Sequence, residues 1–253
     1  MSAGPAGPAD PLSMRVLTWN IWGLRGDQSA LARVIRAADP DVVCLQEAPR
    51  WPGSRWELSA LARRCGLLFV DGGRSAGGCA LLACLRADVR SVRALRLPVA
   101  RRSDPPRGAV VAEVAPVGGQ GSALAVVHLP LDAARRIEHV GLVRRALAGL
   151  DLPGTLVAGD LNESPGGRVW AAWAPEVSDP LDAGASGLTR PGRGVAGPRT
   201  ATFPAAAPSR RIDAVLVGGL VVLEYDLWRA DEADVRSASD HRPVLAVVAV
   251  PRR

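Results

Sequence analysis

Between Cys79 and Leu131 the chain reads CALLACLR (79–86), AVVAEVAP (109–116) and ALAVVHLPL (123–131). Short apolar runs at hairpin-like spacing, rich in β-branched residues, mark antiparallel strands, so the middle of the chain reads as antiparallel sheet. Helices and further strands extend outward from it. On the N-terminal side MRVLTWNIW (14–22) alternates as a first strand ending at Asn20. Asp27 can then cap a helix QSALARVIRAA, with Leu31, Val34, Ile35 and Ala38 on one face and Pro40 closing it. A buried strand DVVCLQE (41–47), a helix around Trp56–Cys65 and a strand at Leu67–Asp71 follow.

On the C-terminal side come an amphipathic helix from about Asp132 to Leu150, a buried strand TLVAGDLN (155–162) and a short helix near Arg168–Trp173. Three strands close the chain: IDAVLVG (212–218), VVLEYDLW (221–228) and PVLAVVAV (243–250). The Gly-, Pro- and Arg-rich stretch before Arg211 is too long for a plain connector and is a candidate substrate loop. Strands outnumbering helices, with the helices on outer faces, predict an α+β sandwich of two sheets flanked by helices.

A length of 253 residues with 48% hydrophobic composition suits one large domain, predicted over 14–253. Residues 1–13, MSAGPAGPADPLS, have neither the basic start nor the apolar stretch of a secretory signal, and a disordered tail on a cytoplasmic protein is expected. No apolar run approaches the ~20 residues of a membrane span, so no integral membrane association is expected, and the chain is expected to be monomeric. Cys44, Cys65, Cys79 and Cys84 show no CxxC pairing and read as buried free thiols.

Every basic side chain is arginine. Seven of them (86, 90, 93, 96, 101, 102 and 107) fall between Arg86 and Arg107 against Asp88 and Asp104, and Arg190, Arg193, Arg199, Arg210 and Arg211 lie in a stretch without any acid. Such patches suit a phosphate-bearing partner, with a solvated face as the alternative. Arg74 and Arg107 are expected to bind substrate, together with Asn162.

Polar residues at the ends of apolar strands carry the chemical signal, because a rigid sheet can aim them into one cleft. Asn20 ends VLTWN, Glu47 ends VVCLQE, His128 ends LAVVH, and Asp160 and Asn162 end LVAGDLN. Asp213 opens IDAVLV, and Asp240-His241 opens the last strand. One such residue usually serves a turn; several acids converging repel one another unless a cation relieves them. Carboxylate, amide and substrate oxygens favour Mg²⁺ (or Mn²⁺) over the Cys and His set that suits zinc.

In the order TWNIWGL, CLQEA, RGAVVAEV, VVHLP, AGDLNESP, TFP with RRIDAVLV, and SDHRPVL, the chain resembles the endonuclease/exonuclease/phosphatase superfamily from Leu17 to Leu245. These deoxyribonuclease I-like metal-dependent phosphoesterases include sphingomyelinases and inositol polyphosphate 5-phosphatases. The resemblance implies a four-layer αββα sandwich with the site at one end of the sheets. It implies that Glu47 binds the metal, aided by Asn20 and Asp240, and that Asp160 deprotonates the attacking water. Asn162 would donate to a phosphate oxygen, and His241, oriented by Asp213, would stabilise charge on the phosphate.

His128 stands where deoxyribonuclease I-like members carry a histidine that can protonate the leaving oxygen. The acidic partner of that histidine has only Asp71 as a counterpart in DGGRSAGGC. Abasic-site endonucleases have a tyrosine in the region of His128, and the one tyrosine here, Tyr225, is far downstream. His139 is expected to be solvent-exposed on the outer helix and Trp22 to be a possible pocket wall, with Trp51, Trp56, Trp170 and Trp173 in packing.

The expected function is therefore a phosphoester hydrolase, foremost a phosphodiesterase whose substrate is open among nucleic acid, a lipid head group and a small soluble phosphoester, with a nuclease acting on DNA or RNA as the alternative. A catalytically inactive phosphate-binding module would have lost one of Glu47, Asp160, Asp213 or His241, and all four are present.

Overall fold

Alternation along each strand sends one row of side chains inward and the other outward, and in the central strands of this protein, such as Val42–Gln46, Ser122–His128 and Gly154–Asp160, both rows are largely apolar. The computed structural model describes residues 11–99, 101, 104–182, 200–227 and 230–253. One sheet is built from β1 (Leu12–Asn20), β2 (Val42–Gln46), β3 (Leu68–Gly72), β4 (Ala80–Ala83), β10 (Val221–Leu227) and β11 (Val244–Val250), in the order β10-β11-β1-β2-β4-β3. The other contains β5 (Ala87–Leu97), β6 (Arg107–Pro116), β7 (Ser122–His128), β8 (Gly154–Asp160) and β9 (Asp213–Gly218), in sequence order. β1/β2 and β7/β8 are the parallel pairs.

Met14, Val16 and Cys44 from the first sheet meet Val126, Ala158 and Val215 from the second in a buried core between the sheets. The outward row of the first sheet, including Leu17 and Trp19, packs under α1 (Gln28–Ala38), α2 (Ser54–Arg64) and α5 (Glu232–Ala238). That of the second, including Val127 and Val157, packs under α3 (Ala133–Ala148) and α4 (Arg168–Trp173), where Val143 and Trp173 are wholly buried. The result is the expected αββα sandwich.

Local chemistry sets the helix ends. Asp27 accepts from the amides of Ser29 and Ala30 at the start of α1, and Asp132 accepts from Arg135 N at the start of α3. Three features differ from the sequence expectation. Leu12 and Ser13 already pair with Val250 and Ala249, so β1 begins inside the segment assigned to the tail, while residues 1–10 lie outside the described residues. The arginine-rich segment after Arg86 forms β5, an edge strand whose alternation is masked by Arg90, Arg93 and Arg96; exposed charge of this kind discourages pairing with another chain. The seven-residue helix α5 was hidden between the last two strands. Among the described residues no helix is long and apolar enough to cross a membrane.

Candidate active site

Strand register brings three polar residues into one line. His128 is the β7 partner of Asp160, and Asp160 is the β8 partner of Asp213. All three continue the inward rows Leu124–Val126, Leu156–Ala158 and Val217–Val215, so they cap the core between the sheets at one end. The facing row of β1, Met14 and Val16, runs on through Thr18 to Asn20, whose β2 partner is Gln46, the neighbour of Glu47. Gly159 makes the close approach possible, since a Cβ there would lie 1.9 Å from the Val127 carbonyl oxygen.

Asp160 Oδ2 is the hub. It accepts from Asn20 Nδ2 at 3.2 Å, lies 3.4 Å from His128 Nε2, and lies 4.0 Å from His241 Nε2. Its other oxygen accepts from Asn162 N at 2.9 Å. Asn20 Nδ2 is also 3.4 Å from Glu47 Oε1, while its Oδ1 accepts from Trp22 N. Asn162 spends one amide hydrogen on Leu129 O at 2.8 Å.

His241 is fixed from every side. Its Nδ1 lies 2.9 Å from Asp213 Oδ2, its carbonyl accepts from Trp19 Nε1 at 2.8 Å, and its amide donates to Ser239 Oγ. Ser239 Oγ in turn donates to Asn20 O at 2.6 Å, and Phe203 packs on the imidazole with ring centroids 4.7 Å apart. Thr202 Oγ1 accepts from the amides of Ile212 and Asp213, which seats the Asp213 carboxylate. Thr202, Phe203, Ser239 and Trp19 were not singled out as site residues in the sequence, although TFP and SDH mark the places of three of them.

Burial of this many ionisable groups shifts their proton affinities in opposite directions. Burial, and then the neighbouring Asp213 charge, raise Asp160 well above the ordinary carboxylate range, against the opposing pull of His241. Burial works to lower His241, yet Asp213, Asp160 and Asp240 together push it up to about 9. His128 is lowered well below the ordinary histidine value by burial, with Arg107, His241 and Arg50 adding to the effect. Asp71 is not its partner but pairs with Arg55; Arg107 Nη1 lies 3.2 Å from His128 Nδ1, and the acid beside the ring is Asp160, at Nε2.

Two groups of acids could hold a cation. Oxygen and nitrogen atoms of Asp160, Asp213 and His241 lie within 4.8 Å of one another, but both Asp213 oxygens already face His241 Nδ1. Asp240 fits better. Its Oδ1 is buried without a hydrogen-bond partner, and burial raises its proton affinity, with the Glu47 charge adding to the rise against the pull of His241. An uncompensated buried carboxylate oxygen in the field of a second carboxylate, Glu47, which itself lies 3.4 Å from the Asn20 amide nitrogen, suits a hard, oxygen-seeking cation.

A cavity of about 400 Å³ opens beside Glu47, lined by Arg50, Trp51, Gly77, Pro105, Arg107 and His128 among others. Arg107 thus stands where a substrate arginine was expected. Arg74 is exposed on the turn Gly73–Ala76 and does not line this cavity; Arg50 does. Trp51 is half-exposed on the cavity wall and Trp56 is 81% exposed, so neither is a packing residue as expected. His139 is buried rather than solvent-exposed, with Nε2 donating to Pro98 O at 2.8 Å. Arg211 is withdrawn from the basic patch by a two-pronged pair with Asp179 at 2.6 and 2.7 Å. Arg190, Arg193 and Arg199, with most of the candidate substrate loop, lie outside the described residues.

The sequence profile of the Endonuclease/Exonuclease/phosphatase family matches residues 17–241. No curated protein matches the sequence. Among solved structures, an endonuclease/exonuclease/phosphatase family protein from Bacteroides thetaiotaomicron superposes with a TM-score of 0.75 at 18% identity, over 94% of this chain and 98% of that one. A mannosyl-6-phosphatase from the same organism gives 0.74 at 17% identity, over 93% and 99%. Truncated TDP2 from Caenorhabditis elegans gives 0.67 at 20% identity, over 94% and 98%. Identities this low show a shared fold, and the substrate has to be argued from the site.

Proposed function

Because the chain belongs to the endonuclease/exonuclease/phosphatase family, we propose that it is a divalent-metal-dependent phosphoester hydrolase, and within that class a phosphodiesterase. The observation that carries this reading is the convergence on Asp160 Oδ2 of Asn20, His128 and His241, at the end where the inward rows of both sheets stop.

Glu47, Asn20 and Asp240 are the residues that would hold Mg²⁺ or Mn²⁺. When bound, the ion neutralises phosphate charge and favours charge building on its oxygens. Asp160 holds the water and takes its proton as the water oxygen bonds to phosphorus and the bond to the leaving oxygen breaks. A carboxylate with raised proton affinity is a stronger base near neutral pH than an ordinary one. His241, kept cationic beside Asp213, donates to a phosphate oxygen, and the second amide hydrogen of Asn162 is directed to another. The one N–H of neutral His128, on Nε2, faces Asp160 Oδ2 and would turn its hydrogen bond to the leaving oxygen when substrate is bound; that oxygen collects its proton from water.

The test is turnover of a panel of nucleic acids, phospholipids, inositol phosphates and bis-p-nitrophenyl phosphate with Mg²⁺ or Mn²⁺. Hydrolysis is expected to vanish in EDTA, return with either ion, and fall sharply in Glu47→Gln. Full activity in chelator would sink the metal-dependent reading. A nuclease reading draws on one observation, the half-exposed Trp51 beside Arg50 on the cavity wall, where a base could stack. Preferential cleavage of DNA or RNA in the same panel would favour it.

A further inference from the structure

The catalytic cavity, which His128 lines, shares a wall with a second cavity of about 290 Å³: Pro105 and Arg107 line both. The apolar walls of the second cavity are Pro98 and Val99, which follow β5, and Pro130 and Leu131, which follow His128 itself. Buried His139 donates to Pro98 O and so ties the segment after β5 to α3. The charged groups lining it have partners of their own: Asp132 accepts from Arg135 N, the Arg135 side chain pairs with Glu138 at 2.7 Å, Asp104 accepts from Arg101 N, and Arg107 lies against His128.

Exposed apolar side chains carry no meaning singly. Here Leu131 is 76% and Val99 41% exposed, and both line a concavity that shares its Pro105 and Arg107 wall with the cavity at the reaction site. A concave, mostly apolar wall with a few placed polar groups is the usual make-up of a small-molecule site. Its direction matters too. The leaving oxygen lies beside His128 in the proposed reaction, and Arg107, 3.2 Å from His128 Nδ1, also lines the second cavity, so the substituent of that oxygen has the second cavity as its neighbouring space.

We propose that this second cavity receives the apolar part of the released alcohol, which directs the enzyme to phosphoesters of bulky apolar or aromatic alcohols. The inference rests on the hydrolase reading. In the reaction, water adds to phosphorus, the ester bond breaks, and the alcohol leaves through the second cavity with a proton from water.

Two substrates with leaving phenols of similar acidity and different size test it: methyl phenyl phosphate and methyl 4-biphenylyl phosphate, assayed with Mg²⁺ or Mn²⁺. An added ring in a fitting apolar site is expected to favour the biphenylyl ester roughly tenfold or more in kcat/KM, by the usual worth of apolar pocket contacts. Leu131→Asp and Val99→Asp, both at exposed positions, are expected to bring that ratio toward one, and product inhibition by 4-phenylphenol should weaken in parallel. Equal turnover of both esters, or a preference that survives in both variants, would overturn the second cavity alone. No turnover of either ester with either ion would remove the hydrolase reading and this inference together.

Discussion

Arg107 Nη1 lies 3.2 Å from His128 Nδ1, and His128 Nε2 lies 3.4 Å from Asp160 Oδ2. A guanidinium has only hydrogens to offer, so Nδ1 must be the accepting nitrogen and the imidazole proton sits on Nε2, facing the carboxylate. Asp71 does not supply the acidic partner: a cation stands at Nδ1, and the neighbouring acid is Asp160 at Nε2. A carboxylate at Nδ1 would stabilise imidazolium, whereas Arg107 and burial both disfavour it.

Replacing Arg107 with Met should therefore raise the proton affinity of His128 toward the ordinary histidine value, and only in part, because burial is the larger cause. Nitrogen chemical shifts of the ring followed against pH measure this. An unchanged titration in the variant would mean that the arginine does not set the state of the ring.

Asp160→Asn keeps the shape of the side chain and removes its ability to accept a proton. If Asp160 activates the water, kcat falls by ~10²–10⁴, the usual contribution of a positioned base, while KM changes little. A rise confined to KM would reassign the residue to binding.

The strands that bear the site were legible because apolar runs such as TLVAGDLN end abruptly in polar residues. The pairing that aligns His128, Asp160 and Asp213 is a property of register, which a sequence does not display. β5 escaped notice because arginines on an edge strand break the alternation by which strands are recognised. The partners of individual charges were equally hidden. Arg211 counted toward a phosphate-binding patch in the sequence, but it lies against Asp179 and Tyr225, whose positions are 32 and 14 residues away. His139 carries nothing locally to show that a carbonyl 41 residues distant would accept its proton.

The Asp213–His241 pair sets a pH dependence of stability. The folded chain raises His241 from an ordinary 6.5 to about 9, and so binds that proton more tightly than the unfolded chain does. The stabilisation, on the order of 3 kcal/mol, is complete below pH 6.5 and is lost as the pH climbs through about 9. Asp160 is also raised, but its contribution disappears at lower pH, and the four cysteines, raised by burial from an ordinary 9.0, cost stability only above about pH 8.5, so the window between belongs to His241. In EDTA, the denaturant midpoint is expected to fall between about pH 7 and 8.5, and His241→Gln should flatten that decline. A wild-type midpoint constant across the window would argue against a charged pair.

The placement of the arginines bears on polymer grip. Arg86 pairs with Asp39 and Asp41, Arg90 with Asp88 and Glu113, Arg211 with Asp179, and Arg210 lies over Phe203. Arg50 and Arg107 line the cavity beside Glu47. Each backbone phosphate neutralised contributes about −0.7 to −0.9 to the slope of log affinity against log salt, so two arginines give a total of about −2 at most. DNA binding measured by fluorescence anisotropy between low and moderate salt is expected to show such a shallow slope, unchanged when Arg190, Arg193 and Arg199 are all replaced by Ala. A slope of about −5 or steeper would require several more phosphate contacts than the cavity offers. If that slope flattened in the triple variant, the segment before Arg211 would be the strand grip and the enzyme a nuclease.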